Sequence, residues 1–287
     1  MVESEVQWIE LLSTDRASLE KLAAELGIHP LAVEDCVNHN QRAKFEDFEK
    51  HQFLVWFAFI HGEVYELEFV VFPKTILLVT NAPAPNGSSW HAFLQLGSHH
   101  RDSAHLLYQA LDRTLDLSAK NVLPLFGAID EFEENMLHHK QGDLHNLLKL
   151  KRQLARAEYA LSYLAAVVGQ LQQFLNPRDD LRWRLRDLWD HCQRVYQALV
   201  FHRVQIANTM DMYWGVTARR TNDQIKKLTL LASVSVPLTF WTSFWGMNFA
   251  VIPFDKPWLF LVALGTMALS ILGVFVFLKS RGFWEEH

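Results

Sequence analysis

Cysteine is scarce in this 287-residue chain: Cys36 and Cys192 are its only two. They are too few for a disulfide framework and lack the paired spacing of a zinc site, which fits a reducing compartment. Charge of one sign is also missing, since 27 basic residues face 32 acidic ones for a formal net charge of -5. No positive field exists to hold a nucleic-acid backbone, so no nucleic-acid partner is expected. A glycine-rich phosphate loop is absent, and with it a nucleotide site. No Ser/His/Asp spacing and no metal-ligand helix motif stand out, so an enzyme is not expected. The opening MVESEVQWIE is acidic, without the basic region and apolar core of a signal peptide, and is expected to stay inside the cell. Half of the chain is apolar, which excludes disorder.

The most informative absence is local. Between residues 228 and 278 the only charged side chains are Asp255 and Lys256, which separate the run from Leu228 to Trp245 from the run Trp258 to Leu278. At about 1.5 Å per residue, uncharged helices of this length cover a hydrocarbon core of about 30 Å. Two membrane helices are predicted. Arg219, Arg220, Lys226 and Lys227 precede the first run and Lys279 and Arg281 follow the second. The positive-inside rule then puts both termini in the cytoplasm and only the loop 246–257 outside.

Upstream, VQWIELL reads as a strand, a helix capped near Ser13 to Asp15 runs to Leu26, and Pro30 begins a second helix. QFLVWFAFI, EVYELEFVVF and TILLVT are aromatic and β-branched segments of a small, mostly antiparallel sheet. Helical spacing follows over about Ala104 to Leu117, Leu123 to Leu137 and Leu144 to Leu175. From Arg178 no proline occurs until Pro237, so one helix of roughly 65 residues is predicted to run from the cytoplasm through the bilayer. The expected division is an N-terminal α/β domain over 1–125, a helical part with the long stalk helix over 126–227, and a two-helix membrane domain over 228–287. The fold class is a cytoplasmic α+β domain, with a mixed or antiparallel sheet flanked by helices, joined to that long helix and two membrane spans.

Alternate steps of four and three along the long helix from Asp211 give Asp211, Gly215, Ala218, Asn222, Ile225, Thr229, Ala232, Val236, Thr239, Ser243 and Gly246. Apart from Ile225 and Val236 this stripe is small or polar. A 3.5 period suits helices around a common axis. Small residues also serve close helix packing, and Ser and Thr often bond their own helix, so the stripe alone leaves both readings open. Two spans cannot enclose water, so a pore needs several copies. Neither run carries an ionisable group, which disfavours a proton relay.

Directly after the first run stands Gly246-Met247-Asn248-Phe249, with Pro237-Leu238-Thr239-Phe240 upstream. This resembles the CorA family of magnesium channels, whose signature is Gly-Met-Asn at the end of the first of two C-terminal membrane helices. Gly27-Ile28-His29-Pro30-Leu31 with Glu34-Asp35, Gln41-Arg42-Ala43-Lys44, Asp187 to His191 and Asn222 to Thr229 extend the similarity through nearly the whole chain. Trp245 stands where the family usually has tyrosine. The resemblance implies a homopentameric funnel in the lipid of the inner membrane. Its selectivity filter would be Gly246, Met247 and Asn248, and its pore would be lined by Asn222, Ile225, Leu228, Thr229, Val236, Thr239 and Ser243. It also implies a regulatory metal site in which Asp211 faces Asp35 of a neighbouring subunit, with Glu34 and Asp187 nearby.

Magnesium dehydrates reluctantly, so a ring of amide oxygens bonding to its water shell is a sensible entrance. The expected cargo and regulator is Mg2+. The alternative is a zinc transporter of the same superfamily, or one for Co2+ or Ni2+; zinc members usually follow the signature with glycine-rich sequence, whereas here Phe249 to Phe254 follows. A membrane-anchored scaffold or signalling protein is the alternative of another class. Adjacent histidines at 99–100 and 138–139 point apart on a helix and are expected at the surface; His138, His139 and His145 form the one spaced set.

Overall fold

The structure, a computed structural model, describes residues 6–38, 41–97, 102–137, 144–174, 179–247 and 256–281. It divides into two compact units, 1–211 and 212–287.

The first unit is built on a five-stranded mixed sheet. The strands are β1 (Gln7–Leu12), β2 (Lys44–Phe48), β3 (His51–Ile60), β4 (Glu63–Phe72) and β5 (Thr75–Thr80), in the order β1-β5-β4-β3-β2. All neighbours are antiparallel except β1 and β5. The β3–β4 hairpin turns on two residues, His61 and Gly62, both at positive φ (54° and 83°). That geometry matches the twist of the flanking strands and needs glycine at one position. The strand β2, KFEDF, was not expected: three of its five residues are charged, and it survives as an edge strand paired to β3 alone.

Helices α1 (Arg16–Leu26) and α2 (Pro30–Val37) lie where capping signals put them, with the Asp15 side chain accepting from the Ser18 amide and Pro30 in the first turn of α2. Short α3 (Trp90–Phe93) is an addition. The long α4 (Ser103–Leu137) is continuous where two segments were expected, and the region read as one helix divides into α5 (Leu144–Leu161) and α6 (Leu164–Phe174). Strand β3 carries both layers: the Trp56 indole donates to Thr114 Oγ1 of α4 at 2.9 Å, while Phe57, pointing the other way, meets Tyr159 of α5 edge-on. Burial on both faces explains why β3 to β5 read as nearly unbroken apolar runs.

The long helix α7 spans Asp179–Trp245, 67 residues, close to the expected length. The second unit holds its C-terminal part and α8 (Trp258–Ser280).

Candidate functional site

In the second unit the apolar windows of α7 and α8 are 0% and 6% buried, unlike the mostly buried core helices of a soluble protein, and both helices are long and apolar enough to cross a membrane. On α7 the half-covered positions are Leu230, Ser233, Val234, Pro237, Leu238, Trp241 and Trp245. On α8 the covered face is Leu259, Ala263, Thr266, Met267, Ser270, Val274 and Leu278. Each set recurs at three- and four-residue steps, so one stripe of α7 packs on one stripe of α8.

The expected pore residues lie elsewhere on α7. Gly215, Ala218, Asn222, Ile225, Thr229, Ala232, Val236, Thr239, Ser243 and Gly246 are all exposed, and so is Asp211 at the end of the first unit. Taking about 100° per residue, the centre of this stripe is about 150° around α7 from the face that meets α8, on the far side of the helix. Leu228, 67% exposed, flanks the stripe. Thr239 donates its hydroxyl to Ser235 O at 2.8 Å, which leaves its oxygen with the capacity to accept a further hydrogen bond.

Gly246 ends α7. Its amide donates to Thr242 O at 3.0 Å, and the Met247 amide donates to Phe244 O at 3.3 Å. A Cβ on Gly246 would sit 3.0 Å from the Thr242 carbonyl oxygen, so glycine permits the tight close of this turn. Asn248 lies outside the described residues, as do Phe249 to Asp255 and the histidine pairs at 99–100 and 138–139.

The four acidic residues expected to regulate divide differently. Asp35 is held within its own chain: Gln41 Nε2 donates to Oδ1 at 2.5 Å and Lys44 Nζ to Oδ2 at 2.6 Å. Burial opposes the Lys44 charge, but its bonds to Asp35 and Glu46 outweigh it and hold the ammonium above its ordinary pKa. Glu34, Asp187 and Asp211 are exposed.

Asp187 lies near Asp112 of α4, which with Asp116 was not among the expected site residues. Asp112, Asp116 and His191 each offer a ligand atom within 4.8 Å of the others, and His191 Nδ1 stands 3.7 Å from Asp116 Oδ1. Burial, then the Asp116 charge, push the Asp112 carboxyl up; His191 opposes this and Asp187 adds to it. A divalent cation would relieve the repulsion. The signal in the sequence was a pair of four-residue spacings, Asp112 with Asp116 and Asp187 with His191, whose meeting depends on α4 packing along α7.

An α+β unit followed by a long helix and a second helix, each with a stretch long and apolar enough to cross a membrane, is the layout of a two-span membrane protein. The family described as CorA-like Mg2+ transporter protein matches residues 3–280, and the chain belongs to the CorA family of divalent metal ion transporters. It is 25% identical over 291 residues to the cobalt/magnesium transport protein CorA of Thermotoga maritima, covering 96% of this chain and 82% of that one. The complete CorA magnesium transporter structure from Methanocaldococcus jannaschii superposes with a TM-score of 0.77 at 18% identity, over 96% of this chain and 90% of that one. The full-length CmaX protein superposes at 0.78 and 17%, over 95% and 88%. At these identities the two structures speak for the fold alone.

Proposed function

We propose that the chain is a magnesium channel that assembles as a homopentamer in the inner membrane, with both termini in the cytoplasm, and passes hydrated Mg2+ down its electrochemical gradient. The observation that carries this reading is the partition of α7: the small and polar stripe stays uncovered on the side opposite α8. Copies arranged with α8 outermost would turn that stripe to a shared axis. Asn222, Thr229, Thr239 and Ser243 then offer oxygens to a hydrated ion, and Ile225, Leu228 and Val236 form apolar constrictions that close by dewetting. Asn248, following the Gly246 turn, supplies the amide ring at the mouth. No fixed charge lines the span, so selectivity rests on size and hydration. The membrane potential supplies about 4.6 kcal/mol per divalent ion per 100 mV.

Regulation follows from the carboxylates. Intracellular Mg2+ bridging Asp211 and Asp35 of neighbouring subunits, with Glu34 and Asp187 contributing, would hold the closed assembly, and its loss would release it.

The test is uptake of Mg2+, Zn2+ and Co2+ into liposomes holding the purified protein, with and without an imposed potential. Magnesium uptake driven by a negative interior and abolished by Asn248→Ala, in a protein that still assembles, is the expected result. Zinc preferred over magnesium would make the chain a zinc transporter of the same superfamily. No flux of any cation would favour a membrane-anchored scaffold.

A further inference from the structure

Two hydrogen bonds tie α7 to α8. The Trp245 indole Nε1 donates to Thr266 Oγ1 at 3.2 Å, and the Trp241 indole Nε1 donates to Ser270 Oγ at 2.7 Å. Donors and acceptors are four residues apart on each helix, so the two bonds form consecutive rungs between antiparallel helices. Both hydroxyls spend their own proton on α8: Thr266 donates to Ala263 O at 2.8 Å and Ser270 to Thr266 O at 2.9 Å. Their lone pairs are thereby turned toward an incoming N–H, and an indole can only donate. In hydrocarbon, where no water satisfies an indole N–H, each rung holds the helices in one register.

The position of the outer rung is what matters. Trp245 is the last residue of α7, and the turn of Gly246 and Met247 begins at the next residue. A helix end frays unless something holds it. Here the holding group is on α8, on the face of α7 away from the exposed stripe.

The geometry points to Trp245 and Thr266, backed by Trp241 and Ser270, as a latch that positions the turn of Gly246 and Met247, the residues that lead into Asn248. The latch fixes where the last turn of α7 ends and so how the filter residues are aimed. Trp245 and Thr266 are positioning residues that need touch no ion. This role rests on the reading of 246–248 as the filter.

Thr266→Val removes the hydroxyl and keeps the shape, Thr266→Ser keeps the hydroxyl, and Trp245→Phe removes the donor. Each is compared with the parent for assembly on a sizing column, for Mg2+ uptake into liposomes, and for the thiol-labelling rate of a cysteine placed at Met247. Both native cysteines are buried and give a low background. Thr266→Val should assemble normally, label faster, and lose uptake about three- to twentyfold, the range of hydrogen bonds between membrane helices. Thr266→Ser should behave as the parent, and adding Trp245→Phe to Thr266→Val should cost nothing further. Labelling and uptake unchanged in Thr266→Val would overturn the latch, even if Trp245→Phe fails to assemble. Equal losses in Thr266→Val and Thr266→Ser would assign the effect to packing and also overturn it. Faster labelling with full uptake would leave the latch standing and overturn the filter reading.

Discussion

Glu68 lies in the middle of β4 with 0% of its surface exposed, inside a sheet covered on both faces. Burial pushes its carboxyl up to about 8 from an ordinary 4.5, the neighbouring Glu66 charge adds to the rise, and the Cys36 thiol bond and the more distant Lys44 charge act against it. In the unfolded chain the same group ionises near its ordinary value. Between those two values the folded protein binds the proton more tightly than the unfolded one, so stability must fall as pH rises. The contribution of neutral Glu68 is fully present below about 4.5 and is gone above about 8. At 1.36 kcal/mol per pH unit the limit is about 5 kcal/mol, and relaxation around the ionised group brings the expected loss to about 2–5 kcal/mol.

Glu68→Gln keeps the shape and cannot ionise. Parent and variant should therefore unfold alike near pH 5 and diverge as pH rises, the variant melting about 5–15 °C higher at pH 8.5. Thermal unfolding of the detergent-solubilised protein at pH 5, 6.5 and 8.5 measures this, and every other titrating group cancels in the difference between the two proteins. A difference that stays constant across the three pH values would refute the reasoning, because it would mean that Glu68 is ionised, or neutral, in both states throughout. The consequence reaches the candidate site: Cys36, which meets Glu68, is next to Asp35 on α2.

Two further outcomes follow from contacts at the proposed sites. Gly246→Ala forces a Cβ to within 3.0 Å of Thr242 O, so the assembled variant should lose uptake severalfold with little change in melting temperature; liposome flux equal to the parent's would show that the turn tolerates the shift. Lys44→Met removes the ammonium 2.6 Å from Asp35 Oδ2, so an incoming ion no longer competes with it. Protection from limited proteolysis should then reach its midpoint at a severalfold lower magnesium concentration than in the parent, and Asp35→Asn should erase that difference.

The fold was legible where one physical signal dominated. Strands β3 to β5 announce themselves because both of their faces are buried, and α7 because nothing interrupts it. The failures are places where tertiary contact overrides local pattern. The polar stretch after Leu117 looks like a break between helices, yet α4 runs through it, and its polar groups serve the sheet: Ser118 Oγ accepts from the Phe59 amide at 3.0 Å and Asn121 Oδ1 from the His61 amide at 2.9 Å. The edge strand β2 hides behind its charges, one of which, Lys44, turns out to engage Asp35. The Gly-Met-Asn motif stands out in the sequence because a short motif in a fixed place needs no folding to be seen. The group of Asp112, Asp116 and His191 was not, since its parts lie on helices about 75 residues apart in sequence and meet only when α4 packs along α7.

The membrane part of α7 shows why a partition of faces says more than hydropathy. The sequence offered the large residues between the stripe positions to lipid or to a second helix without distinction. The structure separates them: Leu230, Val234, Leu238, Trp241 and Trp245 turn toward α8, whereas Leu231, Phe240 and Phe244 remain exposed on the two flanks of the small stripe. A lone anchor in lipid would gain by making every uncovered face apolar, because a polar side chain against hydrocarbon is costly. Here the face farthest from α8 is the least apolar of all, and large apolar side chains bracket it on both sides. That order, from small and polar through large and apolar to the partner helix, is what a helix needs if its stripe meets water on an axis and its flanks meet identical neighbours. A two-helix anchor has no use for it, which is the physical reason for preferring a channel assembled from several copies over a scaffold.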